Sequence, residues 1–304
     1  MKANFQTSSL VLFFLFVVQY ANAQSTYYGL NFSYGTHVPG TSFVTNYESI
    51  RENYYSDFDL FEEDSDNAER VNKSYGSGLN FGVVVGRMLN PNIGIELGAS
   101  YLKGNSISST EEYTSRSYYN GFLNYEYTEN LTQSTSMNMF KIMPSLVVSA
   151  GGEVFSPYTK FGVVIGSGTV TKELEYNLNE TDFQNFSSSS EDEYLVEEQT
   201  GGFAFGLGAA VGFNYTINAS TSIFAEGYFE ALNYSPKSGE ITTYEENGVD
   251  MIDVLSIAES QYEFVNELTE NYNLSPSDDK PAKLLSIIYP MTTAGLRFGV
   301  NFHF

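Results

Sequence analysis

The sequence has no cysteine and no tryptophan among its 304 residues, only two histidines, and 14 basic residues against 37 acidic ones. Without cysteine there is no disulfide frame, no thiol nucleophile and no thiolate metal site. A net charge of −23 repels phosphate backbones and sets nucleic acid aside as a partner. Long hydrophobic runs are missing too. The strongest, residues 10–18, falls short of the roughly 20 apolar residues that a membrane helix needs. An integral membrane protein made from this chain would therefore have to be a barrel. With Lys2 before it and Ala21-Asn22-Ala23 after it, the run reads as a secretory signal peptide, residues 1–23, which leaves residues 24–304 as one domain.

What the sequence does contain is alternation. Over residues 294–304, Ala294, Leu296, Phe298, Val300, Phe302 and Phe304 share one face of an extended chain, with Gly295, Arg297, Gly299, Asn301 and His303 on the other. A strand covering the core of a soluble sandwich would show the same period. Seven further stretches repeat it: 28–35, 79–86, 93–101, 139–148, 160–166, 203–213 and 223–230. Pro144 interrupts the fourth of these and predicts a bulge or a displaced boundary, because proline cannot donate to a strand ladder. Short turns, such as Asn90-Pro91-Asn92, alternate with four long segments, 39–74, 105–131, 173–199 and 236–285, which hold 33 of the 37 acidic residues. These segments read as solvated loops. Two features stand out within them. Asn120-Gly121 predicts a tight hairpin whose strands project as a ribbon. Met251, Leu255, Ala258, Tyr262, Val265 and Leu268 follow helical spacing behind Asp250, which predicts a short amphipathic helix.

A final strand with apolar residues at alternate positions and a terminal aromatic resembles the assembly signal of outer-membrane β-barrel proteins, carried here by Leu296, Phe298, Val300, Phe302 and Phe304. Eight strands with short and long connections in strict alternation resemble the small families of that group, the outer membrane protein A transmembrane domain and the OmpX and OmpW types. The resemblance implies an all-β fold, a membrane-spanning eight-stranded up-and-down antiparallel barrel with long extracellular loops. It implies residence in the outer membrane of a Gram-negative bacterium, with outer-membrane lipid and the barrel-assembly machinery as partners. Aromatic girdles would then consist of Tyr and Phe.

The strand faces opposite the apolar ones consist mostly of Gly, Ala, Ser and Asn, yet Glu96, Lys141, Lys160, Glu226, Glu230 and Arg297 fall on that lumenal parity. Three charges of each sign predict a network of ion pairs that fills the lumen of an occluded barrel, with Arg297 reaching Glu226 or Glu96. A gated path for protons or solutes is the alternative. Candidates for chemistry are thin. The glycines of residues 206–212 have period 2 and no helix follows, so they do not form a phosphate cradle. Residues 57–66 lack the glycine and the acid spacing of a calcium loop. His37, with Ser33 and Ser42 nearby, has no diagnostic spacing, and His303 lies at the other end of the barrel. The sequence therefore predicts no catalytic residue, no metal and no cofactor. It predicts a structural or surface-interaction role through acidic loops that leave room for an extracellular ligand or protein. A narrow porin-like channel or carrier, or a component of envelope biogenesis or secretion, is the alternative.

Overall fold

The computed structural model describes residues 26–38, 43–55, 60–268 and 279–304. The signal-peptide reading therefore lies outside the described residues, as do Ser42 and residues 57–59 of the acidic loop. Seventeen strands are present among the described residues. The first nine are β1 (Thr26–His37), β2 (Phe43–Tyr55), β3 (Leu60–Asn72), β4 (Gly78–Met88), β5 (Ile93–Gly104), β6 (Ile107–Tyr119), β7 (Phe122–Ser149), β8 (Phe155–Asp182) and β9 (Ser187–Thr200). The remainder are β10 (Phe203–Asn218), β11 (Thr221–Ser235), β12 (Ser238–Glu246), β13 (Val249–Asp250), β14 (Gln261–Val265), β15 (Ala282–Leu285), β16 (Tyr289–Pro290) and β17 (Thr293–His303).

Eight of these close a ring in the order β1–β4–β5–β7–β8–β10–β11–β17, and β17 pairs back to β1. Every pairing in the ring is antiparallel and joins neighbours in the up-and-down sequence. Closure removes both edges of the ring sheet. Alternation decides the faces. In β11 the even residues from Ser222 to Tyr234 are buried and the odd ones are not. Outside the ring an uninterrupted apolar belt is exposed, with Leu207 at 64% and Val211 at 69%. The terminal strand contributes Leu296, Phe298 and Phe302 to this belt, and Phe32 lies 5.8 Å from Phe298 across the β1–β17 seam. Val300 shares their parity and is half-buried, while the exposed Phe304 donates its backbone N–H to Thr26 and lies 5.6 Å from Tyr28.

The turns at one end are short, and Asn90 builds one of them by accepting backbone N–H groups from Asn92 and Ile93. At the other end the described residues of the acidic segments are mostly strands and not loops, and of these only the ribbon about Asn120-Gly121 is expected from the sequence. They continue the barrel strands into a second, open sheet of order β3–β2–β6–β7–β8–β9–β12–β14–β15, with β2–β6 and β14–β15 parallel. β7 and β8 have 28 residues each. At about 3.3 Å per residue they run about 90 Å, and only residues 138–148 of β7 and 155–166 of β8 pair with the ring strands β5 and β10. More than half of each strand therefore stands beyond the belt. High charge marked these segments as loops. Their Tyr, Thr and Val content and their alternation overrode it.

Two further expectations need correction. Pro144 makes no bulge: β7 keeps one register against both β5 and β8, and Leu97 faces Pro144 directly, with the ladder to β8 lapsing only between Ile142 and Ser145. Residues 250–268 do not form one helix. They give a 3₁₀ turn (Ile252–Val254), a single helical turn α1 (Ile257–Ser260) and strand β14. The cap is Ser256 in a capping box with Glu259, while Asp250 accepts the backbone N–H of Ile252. The helical period is real, but β14 pairs with β12 and buries Tyr262, and that burial prevails over a marginal short helix. The Asn120-Gly121 hairpin forms with φ of 49° and 83°, the left-handed pair that a two-residue turn requires. Asn247-Gly248 repeats it between β12 and β13 with φ of 52° and 74°.

Candidate functional site

The barrel lumen holds the densest chemistry. β5 supplies Glu96, β7 Lys141, β8 Lys160, β11 Glu226 and Glu230, and β17 Arg297, all buried or nearly so. Each has a small cross-strand neighbour on at least one side. Lys160 faces Ala210, Glu226 faces Gly212 and Glu230 faces Gly208. That leaves room for long side chains to cross the lumen and meet. Lys141 lies 2.6 Å from Glu230, and Arg297 bridges Glu230 (3.2 Å) to Glu226. Lys160 bridges Glu226 (3.2 Å) to Glu96 (2.9 Å). The six groups thus form one unbranched chain of alternating sign, Lys141–Glu230–Arg297–Glu226–Lys160–Glu96, with no net charge. Of the two partners expected for Arg297, Glu226 is met. Glu96 is not, because Lys160 occupies it and Glu230 takes its place.

Aromatic rings complete the network. The Tyr27 hydroxyl donates to Glu96 at 2.7 Å and the Tyr158 hydroxyl to Glu226 at 2.8 Å. The Lys160 ammonium lies 5.1 Å from the Tyr158 ring centre and 5.3 Å from that of Phe224, and the Arg297 guanidinium 4.6 Å from that of Tyr228, within cation–π range. Gly86 belongs to the same design, since a Cβ there would sit 2.1 Å from the Tyr27 ring. The sequence carried a signal for these tyrosines: Tyr27 and Tyr158 each stand two residues before a lumenal position, Gly29 and Lys160.

The two ends of the lumen differ. Beside the network is a cavity of about 40 Å³, room for one or two waters. Towards the short turns it widens into a vestibule of about 330 Å³ lined by Tyr27, Glu96, Tyr158, Lys160, Asn214 and Asn301. Towards the long strands an apolar seal closes it, built on Leu102, Met137, Met139, Leu232, Tyr234 and Met291. Tyr289 and Met291 reach this seal from the far end of the longest acidic segment, held by β16 against β11 and by the Met291 N–H on the Leu232 carbonyl. An expected occluded barrel on ion pairs alone thus also carries an apolar stopper, which sequence reading missed.

The distal sheet organises its charge through tyrosines. Tyr125 donates to Glu180 at 2.7 Å and Tyr127 to Glu129 at 3.0 Å, and Tyr244 donates to Glu246. The Glu180 hydrogen bond pushes the Tyr125 hydroxyl up to about 12. On the opposite face Arg116 joins Glu126 (2.8 Å) to Glu52 (3.6 Å), and the Tyr54 and Tyr118 rings stack at 4.7 Å. Asp64 is taken by Arg51 and Asp66 by Ser49 and Tyr47. His37 lies half-buried on β1, while Ser33, which shares its strand, is sealed in the lumen.

These features define the chain as a closed eight-stranded antiparallel β-barrel, apolar outside and ion-paired inside, that carries a charged distal β-sheet. Among solved structures it is similar to Ail, the attachment invasion locus protein of Yersinia pestis, at 8% identity and a TM-score of 0.32, over 92% of this chain and 99% of that one. No protein-family model and no curated protein matches the sequence. The strand ring, and not this likeness, carries the class.

Proposed function

We propose that the chain is an integral protein of the bacterial outer membrane whose barrel anchors a surface-interaction module, the distal sheet, outside the cell. The observation that carries this reading is the continuity of β7 and β8 from the apolar belt into that sheet. A belt of exposed Leu, Val, Ile and Phe around a closed ring is a liability in water and suits a bilayer. Rigid paired strands present side chains at fixed positions, as a recognition surface needs. The alternation of short turns with long strands supports an external position for the sheet. The apolar seal speaks against a channel, and the lumen network then serves to fill the barrel.

Two measurements test the parts separately. Leu207→Arg on the belt is expected to cost about 2–4 kcal/mol of folding stability in lipid vesicles, against little for Asn177→Arg in the distal sheet; equal effects would remove the membrane reading. For the module, residues 112–130 and 175–194 are each replaced by Asn-Gly. The pairs Glu111–Leu131 and Leu174–Leu195 then close two-residue turns. Cells displaying the full chain are expected to adhere to immobilised extracellular proteins of graded isoelectric point, and cells displaying the trimmed chain are not. Neither form is expected to conduct in planar bilayers. Adhesion unchanged by trimming, or stable openings of the full chain, would overturn the proposal.

A further inference from the structure

The distal sheet has two chemically different faces. The β7–β8 register runs unbroken from barrel to tip, so the lumenal parity of both strands continues outward as one inner face. Along it, cross-strand rows read Gln133–Leu174–Leu195–Tyr244, then Leu131–Tyr176–Glu193–Glu246, then Tyr127–Glu180. Leucine, tyrosine and carboxylate are thus interleaved in both directions. The outer face of the same strands reads Ser134–Glu173–Val196, Thr132–Glu175–Tyr194, Asn130–Asn177–Asp192 and Thr128–Asn179, polar in these rows except for Val196 and Tyr194. Both faces are acidic. The inner one interleaves its acids with leucine along β7 to β9, whereas the outer one keeps its stacked aromatic pair, Tyr54 and Tyr118, on β2 and β6. Besides the lumenal Lys141 and Lys160, Lys172 is the one cation on the inner parity of β6 to β9 among the described residues, and it is already engaged by Glu197 at 3.5 Å near the barrel mouth.

The tyrosine hydroxyls are spent on carboxylates of their own face, so each of these rings is fixed beside a negative charge. A cation arriving there meets a carboxylate and a π-system together, and the alkyl stem that carries it lies over leucine. We propose that the inner face is a docking surface for a cationic amphipathic polypeptide, rich in Lys or Arg with apolar side chains between them. This rests on the reading of the sheet as a surface-interaction module and names the partner class. Charge complementarity selects the sign of the partner, and the leucine and tyrosine rows select its apolar content. A purely electrostatic partner would find both faces alike.

The experiment uses the full chain in nanodiscs of zwitterionic lipid. Three labelled probes are compared by fluorescence anisotropy: a short peptide alternating Lys and Leu, its Glu and Leu counterpart, and an all-Lys peptide of the same length. The Lys and Leu peptide is expected to bind, the Glu and Leu peptide not to bind, and the all-Lys peptide to bind about tenfold more weakly. Tyr127→Ser with Tyr176→Ser, and separately Glu193→Gln, are expected to weaken the Lys and Leu peptide by about five- to tenfold, whereas the outer-face variant Glu175→Gln leaves it within about twofold. Equal affinity of the two cationic peptides, or equal loss from Glu193→Gln and Glu175→Gln, would overturn the docking face in favour of a diffuse acidic field. Binding that persists on nanodiscs carrying the trimmed chain would be lipid binding and would also overturn it. If no peptide binds while trimming still abolishes adhesion, the partner class is wrong and the interaction module stands. If trimming leaves adhesion unchanged, both fall.

Discussion

Glu230→Ala is expected to destabilise the barrel by about 3–5 kcal/mol, the cost of leaving a buried charge without its partner. Glu230 is the ion-pair partner of Lys141, at 2.6 Å, and one of two for Arg297. After its removal Arg297 retains Glu226. Lys141 retains no carboxylate among those it meets in the network, and its side chain sits at 6% exposure, where water does not compensate. The double variant Lys141→Met with Glu230→Leu is expected to recover most of the loss, because it removes the pair together and leaves the remaining charges, two of each sign, balanced. Urea midpoints of folding in detergent or lipid check both. A double variant as unstable as the single one would show that the network needs its charges for more than mutual neutralisation, and the lumen would regain interest as a path.

The second large effect belongs to the apolar seal. Tyr234 is fully buried, packs in the seal with Leu232 and Met291, and donates its hydroxyl to the Gly168 carbonyl at 2.6 Å. Tyr234→Ala removes a large ring from a packed interior and deprives that carbonyl of its tyrosine donor, so about 3–5 kcal/mol is expected. The backbone contacts of β16 with β11 survive, and the fold should remain. Phe205→Ala on the outer face of β10, where the ring is 65% exposed, gives the comparison and should cost clearly less in lipid. Equal losses from the two would mean that the seal is loosely packed, and the stopper role of Tyr289 and Met291 would go with it.

How much of this was legible in the sequence differs from element to element. Strand faces were, since the period of 2 needs no partner to be seen. The parity of Glu96, Lys141, Lys160, Glu226, Glu230 and Arg297 followed from it. Their pairing did not. Glu226 and Arg297 are direct neighbours on β11 and β17, which a register would predict. Glu96 and Lys160 sit on β5 and β8, separated by β7, and meet only because the ring closes and curls their strands towards each other. Apart from the Asn120-Gly121 ribbon, the distal sheet was hidden for another reason. Charge was read as solvation, although Tyr, Thr and Val alternate with the acids in the same segments. The expected helix of 250–268 had the right period, yet Tyr262 finds Gln199 at 3.0 Å once β14 joins β12.

By itself the sequence determined the number of ring strands, which side chains face in and which face out, and the sign and count of the lumenal charges, because these depend only on local alternation and composition. The tertiary structure alone decided which acid meets which base, where the apolar seal closes the lumen, and that the acidic segments form one sheet with two unlike faces. Those are properties of residues far apart in the chain, and closure and register, not local preference, set the distances between them.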